Sequence, residues 1–184
     1  MTTASPSPQV IQLLVVQLAA FQAVLLLASG LHKLTRRGRT QAVIHDFAGV
    51  PRHLAPGAGV VVAVTEMLAG LLLWMPSYRA LGGVLAVFIW GGYLALILRA
   101  IAQGRRDVDC GCTFGATQRR LGVFQVMRNG VLVCVALLVA AGSAASVTGP
   151  VIASQILAAF ALLALYGALD QVMALTPLRR GELS

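Results

Sequence analysis

The stretch from Val10 to Leu31, VIQLLVVQLAAFQAVLLLASGL, decides the class of fold. It holds no charged residue, and it is long enough to cross a hydrocarbon core of roughly 30 Å as one helix. No basic residue precedes it, and the basic residues that follow it are Lys33, Arg36, Arg37 and Arg39. That order of charges favours a retained membrane helix over a cleaved signal peptide.

Four further apolar runs of similar length follow along the chain. They span about Gly57 to Met75, Ala80 to Ala100, Leu121 to Ala141 and Val151 to Leu175. The 184 residues are 58% hydrophobic and 11% charged, whereas a soluble domain has about 45–50% apolar and 25% charged residues. We therefore predict an all-α, polytopic membrane helical bundle with five transmembrane helices. A disordered tail over residues 1–9, one transmembrane domain over 10–176 and a basic tail over 177–184 complete the organisation.

The formal net charge is +8, from 14 basic and 6 acidic residues. In a soluble protein this would suggest nucleic acid, but here the basic residues flank apolar runs, so membrane topology explains them and no nucleic-acid partner is predicted. Twelve Lys and Arg residues fall at one face, in the segments 32–56 and 99–120 and at the C-terminus, and Arg79 alone falls at the other. The positive-inside rule places the basic face in the cytoplasm. We therefore predict a multi-pass protein of the inner membrane.

Three local patterns predict how the helices are arranged. Residues 32–56 form the longest predicted loop, within which Thr40–Phe47 is predicted as an interfacial helix with Val43, Ile44 and Phe47 on its lipid side. The glycine pairs 82–83 and 91–92 are predicted to mark close contacts with two different neighbours. For the glutamines of the first run, at positions 12, 17 and 22, interhelical hydrogen bonds are favoured over a ligand role.

The sequence Asp109-Cys110-Gly111-Cys112 lies in a polar segment between two apolar runs. A disulfide between Cys110 and Cys112 would close a small, strained ring, and strain makes a disulfide easier to reduce. Redox exchange is therefore favoured. A metal site stays open as an alternative, although zinc needs about four ligands and only two are local. Idle thiols are the third possibility, and no metal or cofactor is predicted.

Charged residues inside the apolar runs are costly and need partners. Glu66 and Arg128 lie at matching depths from the same face, so we predict that they pair, with snorkelling of Arg128 to the interface as the alternative. Asn129 could bridge helices by hydrogen bonds or serve packing alone. Asp170 and His32 approach the same face.

A cation near a thiol favours the thiolate, and a histidine could relay its proton. Arg128 and His32 are therefore candidate helpers of the cysteine pair. Cys134, inside the fourth run, is predicted to be a small buried hydrophobe.

These residues resemble the methylamine utilisation protein MauE family and its DoxX-like relatives. The resemblance rests on Asp109–Cys112 with Phe114-Gly115 behind it, on Arg128-Asn129, on Ser29–Lys33 and on Glu66. Thr113 departs from the pattern because it separates Cys112 from Phe114. The resemblance implies a DoxX-like four-helix core plus one helix.

The resemblance also implies a function. It implies maturation of the methylamine dehydrogenase small subunit, which carries many disulfides and a tryptophan-derived quinone, with help from a thioredoxin-like partner. Cys110 and Cys112 would be the redox pair. The implied client is periplasmic, whereas the charge rule places the pair inside. A non-enzymatic scaffold, or a small-molecule or metal transporter, is the alternative to a thiol–disulfide oxidoreductase.

Overall fold

The computed structural model describes residues 7–105, 122–142 and 149–175, and within these ranges all regular secondary structure is helical. The helices are α1 (Pro8–Thr35), α2 (Arg37–Ala48), α3 (Ala55–Trp74), α4 (Arg79–Ala102), α5 (Val123–Ala141) and α6 (Gly149–Leu175). A single 3-10 turn, Pro76–Tyr78, joins α3 to α4. The predicted all-α class is confirmed.

Four of the helices form a closed ring in which α1 packs on α3, α3 on α4, α4 on α5 and α5 on α1. The core of the ring includes Leu26, Leu73, Trp90, Leu132 and Val139. Helix α6 packs on the outer side of α1, and α2 lies against α3 and α4. The ring corresponds to the four-helix core that the resemblance implied, and α2 and α6 lie outside it.

Within the described residues, α1, α3, α4 and α5 are long and apolar enough to cross a membrane. Large apolar side chains cover the outside of the bundle, among them Phe88, Val131 and Leu157, as expected where lipid replaces water. The protein is therefore a multi-pass membrane protein. The described apolar stretch of α6, Gln155–Leu169, is shorter than a full span, so the fifth crossing stays a prediction.

The ends of the helices differ from the predicted boundaries. Helix α1 begins at Pro8, so residues 8 and 9 of the predicted tail are helical, and a proline suits the first turn because its missing N–H has no partner there. Residues 1–6 and 177–184 lie outside the described residues. The predicted loop 32–56 holds the last turn of α1, all of α2 and the start of α3. Between α1 and α2 only Arg36 leaves the helical conformation, with φ −110° and ψ 48°.

Helix α2 contains the predicted interfacial helix, but Phe47 does not face lipid as predicted. Phe47 is buried and packs with Ile97 and Ala100 of α4. An apolar face alone does not tell lipid from protein, and at Phe47 it meets protein. The helix ends at Ala48 and is followed by Gly49, whose φ of +74° suits a residue without a Cβ.

The two glycine pairs of α4 behave differently. A Cβ on Gly82 would lie 2.6 Å from the backbone nitrogen of Leu73, and one on Gly83 would lie 2.7 Å from that of Ala140. The predicted close contacts are therefore present at this pair, with α3 and α5 respectively. At Gly91 and Gly92 the prediction is wrong, because no described atom lies within 4 Å of an added Cβ.

Candidate functional site

The carboxylate of Glu66 is the centre of a charged cluster buried between α1, α3 and α4. Its side chain is fully buried, and Lys33 Nζ lies 2.8 Å from Oε1 and 3.0 Å from Oε2. The same ammonium group donates to Ser29 Oγ at 2.7 Å, and the hydroxyl of Tyr93 donates to Glu66 Oε1. Two helices, α1 and α4, therefore supply the groups that satisfy one buried carboxylate on α3.

Close packing of α1 on α3 brings Lys33 within reach of Glu66. A Cβ on Gly30 would lie 2.7 Å from the carbonyl oxygen of Ala63 and 2.7 Å from Met67 Cγ. Lys33 follows Gly30 by three residues, about one helical turn, so it projects from the same face of α1 toward α3. The Lys33 ammonium also lies 5.4 Å from the centre of the Tyr93 ring, in the range of a cation–π contact.

This arrangement corrects the predicted pairing of Glu66 with Arg128. Glu66 pairs with Lys33, whereas the guanidinium carbon of Arg128 lies 5.7 Å from the centre of the Tyr166 ring of α6. The depths of the two charges in the membrane matched, but depth does not say which way a side chain faces around its helix. Arg128 is 9% exposed, so it does not reach the surface as the snorkelling alternative requires.

Asn129 and Gln125 form a second polar group beside Arg128. Asn129 is fully buried, and its Nδ2 donates to the Gln125 carbonyl at 2.9 Å. Gln125 Oε1 accepts from the Gly122 N–H at 2.9 Å, which fixes the start of α5. Asn129 thus acts within its own helix, and its Oδ1 has no hydrogen-bond partner among the described residues.

A third polar group, which the sequence indicated only in part, bridges α1, α4 and α5. Gln22 Nε2 donates to the Leu132 carbonyl at 2.9 Å, and Trp90 Nε1 donates to Gln22 Oε1 at 2.6 Å. The predicted interhelical role is confirmed for Gln22. The five-residue spacing of the glutamines offered three candidates, and the partner Trp90 gave no signal in the sequence.

A cavity of about 150 Å³ adjoins the charged cluster. It lies between α1, α2, α3 and α4, and His32, Lys33 and Tyr93 line it beside apolar residues of α2. His32 therefore stands at the same end of the bundle as Glu66, as predicted. Within the described part of the chain, no group of three His, Cys, Asp or Glu residues could hold a metal ion.

Asp109, Cys110 and Cys112 lie outside the described residues, and so does the side chain of Asp170. The described residues on either side of the motif are Arg105 and Gly122. The guanidinium of Arg105 donates to the carbonyl of Asp46 on α2, and Val126, one turn after Gly122, packs against the cluster of Phe47, Ile97 and Ala100. Arg105 and the start of α5 therefore both lie at the end of the bundle that carries α2 and the cavity.

Cys134 is the free cysteine of the described residues, and it is exposed on the outside of α5. The prediction that it is buried is wrong. It faces away from the charged cluster and the cavity, which it does not line.

Comparison with known proteins then decides the family. The family model for methylamine utilisation protein MauE matches residues 11–142. The chain belongs to this family. The match to MauE begins in the first turn of α1, covers the rest of the ring and ends before α6 begins.

Two curated relatives carry the same name. MauE of Paracoccus versutus is 30% identical over 124 residues, which cover 67% of each chain. MauE of Paracoccus denitrificans is 27% identical over 130 residues, or 71% of this chain and 70% of the relative. No solved structure gives a significant match. Membership of the MauE family implies a role in methylamine utilisation.

Proposed function

We propose that the protein is a thiol–disulfide redox protein of the inner membrane that assists disulfide formation in the methylamine dehydrogenase small subunit. MauE membership supports the pathway, and the Cys110-Gly111-Cys112 motif supports the chemistry. The observation that carries the proposal is the position of the chain on either side of the motif. Arg105 and Gly122, the described residues on either side of it, lie at the end of the bundle that carries α2 and the cavity.

The proposed exchange uses Cys110 and Cys112 as a disulfide. A client thiolate attacks one sulfur, which forms a mixed disulfide and releases the other sulfur as a thiolate. A second client thiolate then breaks the mixed disulfide, so the client gains one disulfide and the pair is left as two thiols. Two electrons and two protons have moved to the pair, and a thioredoxin-like partner in its disulfide form re-oxidises it.

Arg128 is the proposed helper of this exchange. It lies in the second turn of α5 and is buried, and a nearby cation favours a thiolate. Its neighbour Asn129 and the Gln125–Gly122 hydrogen bond hold that turn in place. Replacing Arg128 with Gln is expected to slow alkylation of the reduced pair at neutral pH, measured by mass spectrometry of the loop peptide.

The charge distribution and the client suggest opposite orientations of the pair. The basic end is expected in the cytoplasm, where the pair would exchange with a cytoplasmic donor and reach the client only through electron transfer across the membrane. In the inverted orientation the pair would meet the client directly. A membrane-impermeant thiol reagent applied to intact cells separates the two. The direct exchange described above requires that Cys110 and Cys112 be labelled, whereas the charge rule predicts that they are not.

The test of the function compares two cysteine variants in a methylamine-utilising host that lacks its own copy of the gene. Cys110→Ser/Cys112→Ser is expected to abolish maturation of the small subunit, measured as its disulfide content by mass spectrometry. Cys134→Ser is the matched control, because it removes a thiol that is exposed on the outside of α5, and it should leave maturation unchanged. Full maturation with the double variant would reject the redox function and leave the scaffold or transport alternatives.

A further inference from the structure

The cavity beside the charged cluster is lined by residues of two kinds. Lys33, Arg36 and Arg39 are basic, and Val43, Ile44 and Phe47 of α2 are apolar. No acidic residue is among the described residues that line it. Lys33 is paired with Glu66, which does not itself line the cavity. Arg36 and Arg39 add two further positive charges. The cavity therefore suits a ligand with an anionic part and an apolar part.

The place of the cavity in the membrane narrows the class of ligand. It lies where the transmembrane helix α1 ends at Thr35 and where α2 turns away along the bundle. At that depth a bilayer presents phosphate groups above the first carbons of its acyl chains. Arginine binds phosphate through two parallel hydrogen bonds, and basic pockets between membrane helices on the cytoplasmic side are suited to anionic headgroups.

We propose that this cavity binds one acidic phospholipid, with its phosphate at Arg36 and Arg39 and its first acyl carbons against Val43 and Ile44. The volume of about 150 Å³ admits a headgroup phosphate and the adjoining carbons, while the rest of the lipid remains in the bilayer. A soluble phosphate would match the arginines but leave the apolar residues without a partner. The proposal does not depend on the cysteine pair.

The test measures lipid bound to the full chain by native mass spectrometry in detergent, with phosphatidylglycerol and phosphatidylcholine as probes. The natural chain is expected to retain one phosphatidylglycerol at concentrations that leave no phosphatidylcholine bound. Arg36→Gln/Arg39→Gln should weaken that retention about 30-fold, at roughly fivefold for each basic side chain near the membrane surface. Arg37→Gln/Arg52→Gln removes the same charge from the same end of the bundle and does not touch the cavity, so it should leave the bound lipid in place.

A second variant keeps the charge and fills the space. Ala58 lines the cavity, and Ala58→Phe is expected to prevent retention of the lipid while the helical content by circular dichroism stays the same. If the arginine variant does not fold, Ala58→Phe alone tests whether the lipid binds in the cavity.

Three results would overturn the proposal. Equal loss of lipid in the two double arginine variants would assign binding to general surface charge. Unchanged retention in Ala58→Phe would place the lipid elsewhere on the protein. Displacement of phosphatidylglycerol by an equal concentration of inorganic phosphate would identify a soluble anion as the ligand.

Discussion

Glu66 of α3 and Gln22 of α1 are both fully buried polar side chains, and each bonds to two other helices of the ring. They differ in charge and in surroundings. Gln22 lies within the apolar core and bonds to Trp90, which is 4% exposed, and to a backbone carbonyl. Glu66 carries a charge, and its partner Lys33 borders a cavity. The hydrogen bonds of Gln22, here called the neutral bridge, therefore fix how the helices pack. The charged cluster of Glu66 and Lys33 instead borders the cavity, so a ligand bound there would change its electrostatic surroundings.

The largest expected effect is the loss of Lys33. Lys33→Met leaves the Glu66 carboxylate buried with Tyr93 as its remaining partner, and breaking a buried pair in this way costs about 3–5 kcal/mol. The free energy of unfolding in mixed micelles measures the loss. The double variant Lys33→Met/Glu66→Met removes both charges, so its loss should be clearly smaller than the sum of the single losses. Additive losses would mean that the two charges do not interact in the membrane.

A smaller effect is expected from widening the interface that brings the pair together. Gly30→Ala places a Cβ against the Ala63 carbonyl and must push α1 away from α3, at a cost of about 1–3 kcal/mol. Gly92→Ala is the control, because an added Cβ there meets no described atom within 4 Å. It should be neutral or slightly stabilising, since alanine favours a helix more than glycine does. Equal effects at the two sites would argue against a close α1–α3 contact.

The smallest effect is expected at the neutral bridge. Gln22→Leu removes two hydrogen bonds, and interhelical hydrogen bonds in membranes average about 0.6 kcal/mol, so the loss should be about 1 kcal/mol. Gln12→Leu, on the exposed part of α1, should change the free energy of unfolding by less than about 0.5 kcal/mol. Client maturation should be unchanged in both variants. A defect in maturation with Gln22→Leu would show that the neutral bridge also serves function.

The number and order of the ring helices could be read from the sequence, because an apolar run of spanning length has one stable conformation in lipid. The partner of Glu66 could not. Arg128 lies at a matching depth, but the close approach at Gly30 turns Lys33 toward the carboxylate. The signal was present in Ser29-Gly30-Leu31-His32-Lys33, which places a small residue one turn before a cation.

What covers the apolar face of α2 could not be predicted from the sequence, for a related reason. Periodicity shows that Val43, Ile44 and Phe47 share a face, and it cannot show whether lipid or protein covers that face. The buried contacts of Phe47 with Ile97 and Ala100 depend on residues about fifty positions away in the chain. For the same reason, Cys134 gave no sign that it lies on the outside of α5.

Contact between α1 and α5 closes the ring, and these are its first and last members to leave the ribosome. During synthesis α1 and α3 can pair early, but the seam beside α1 stays open until α5 has entered the membrane. Helix α6 emerges afterwards and meets a ring whose members are all present. A nascent chain arrested just after α5 has left the translocon should therefore already resist protease within the ring, whereas one arrested before α5 should not.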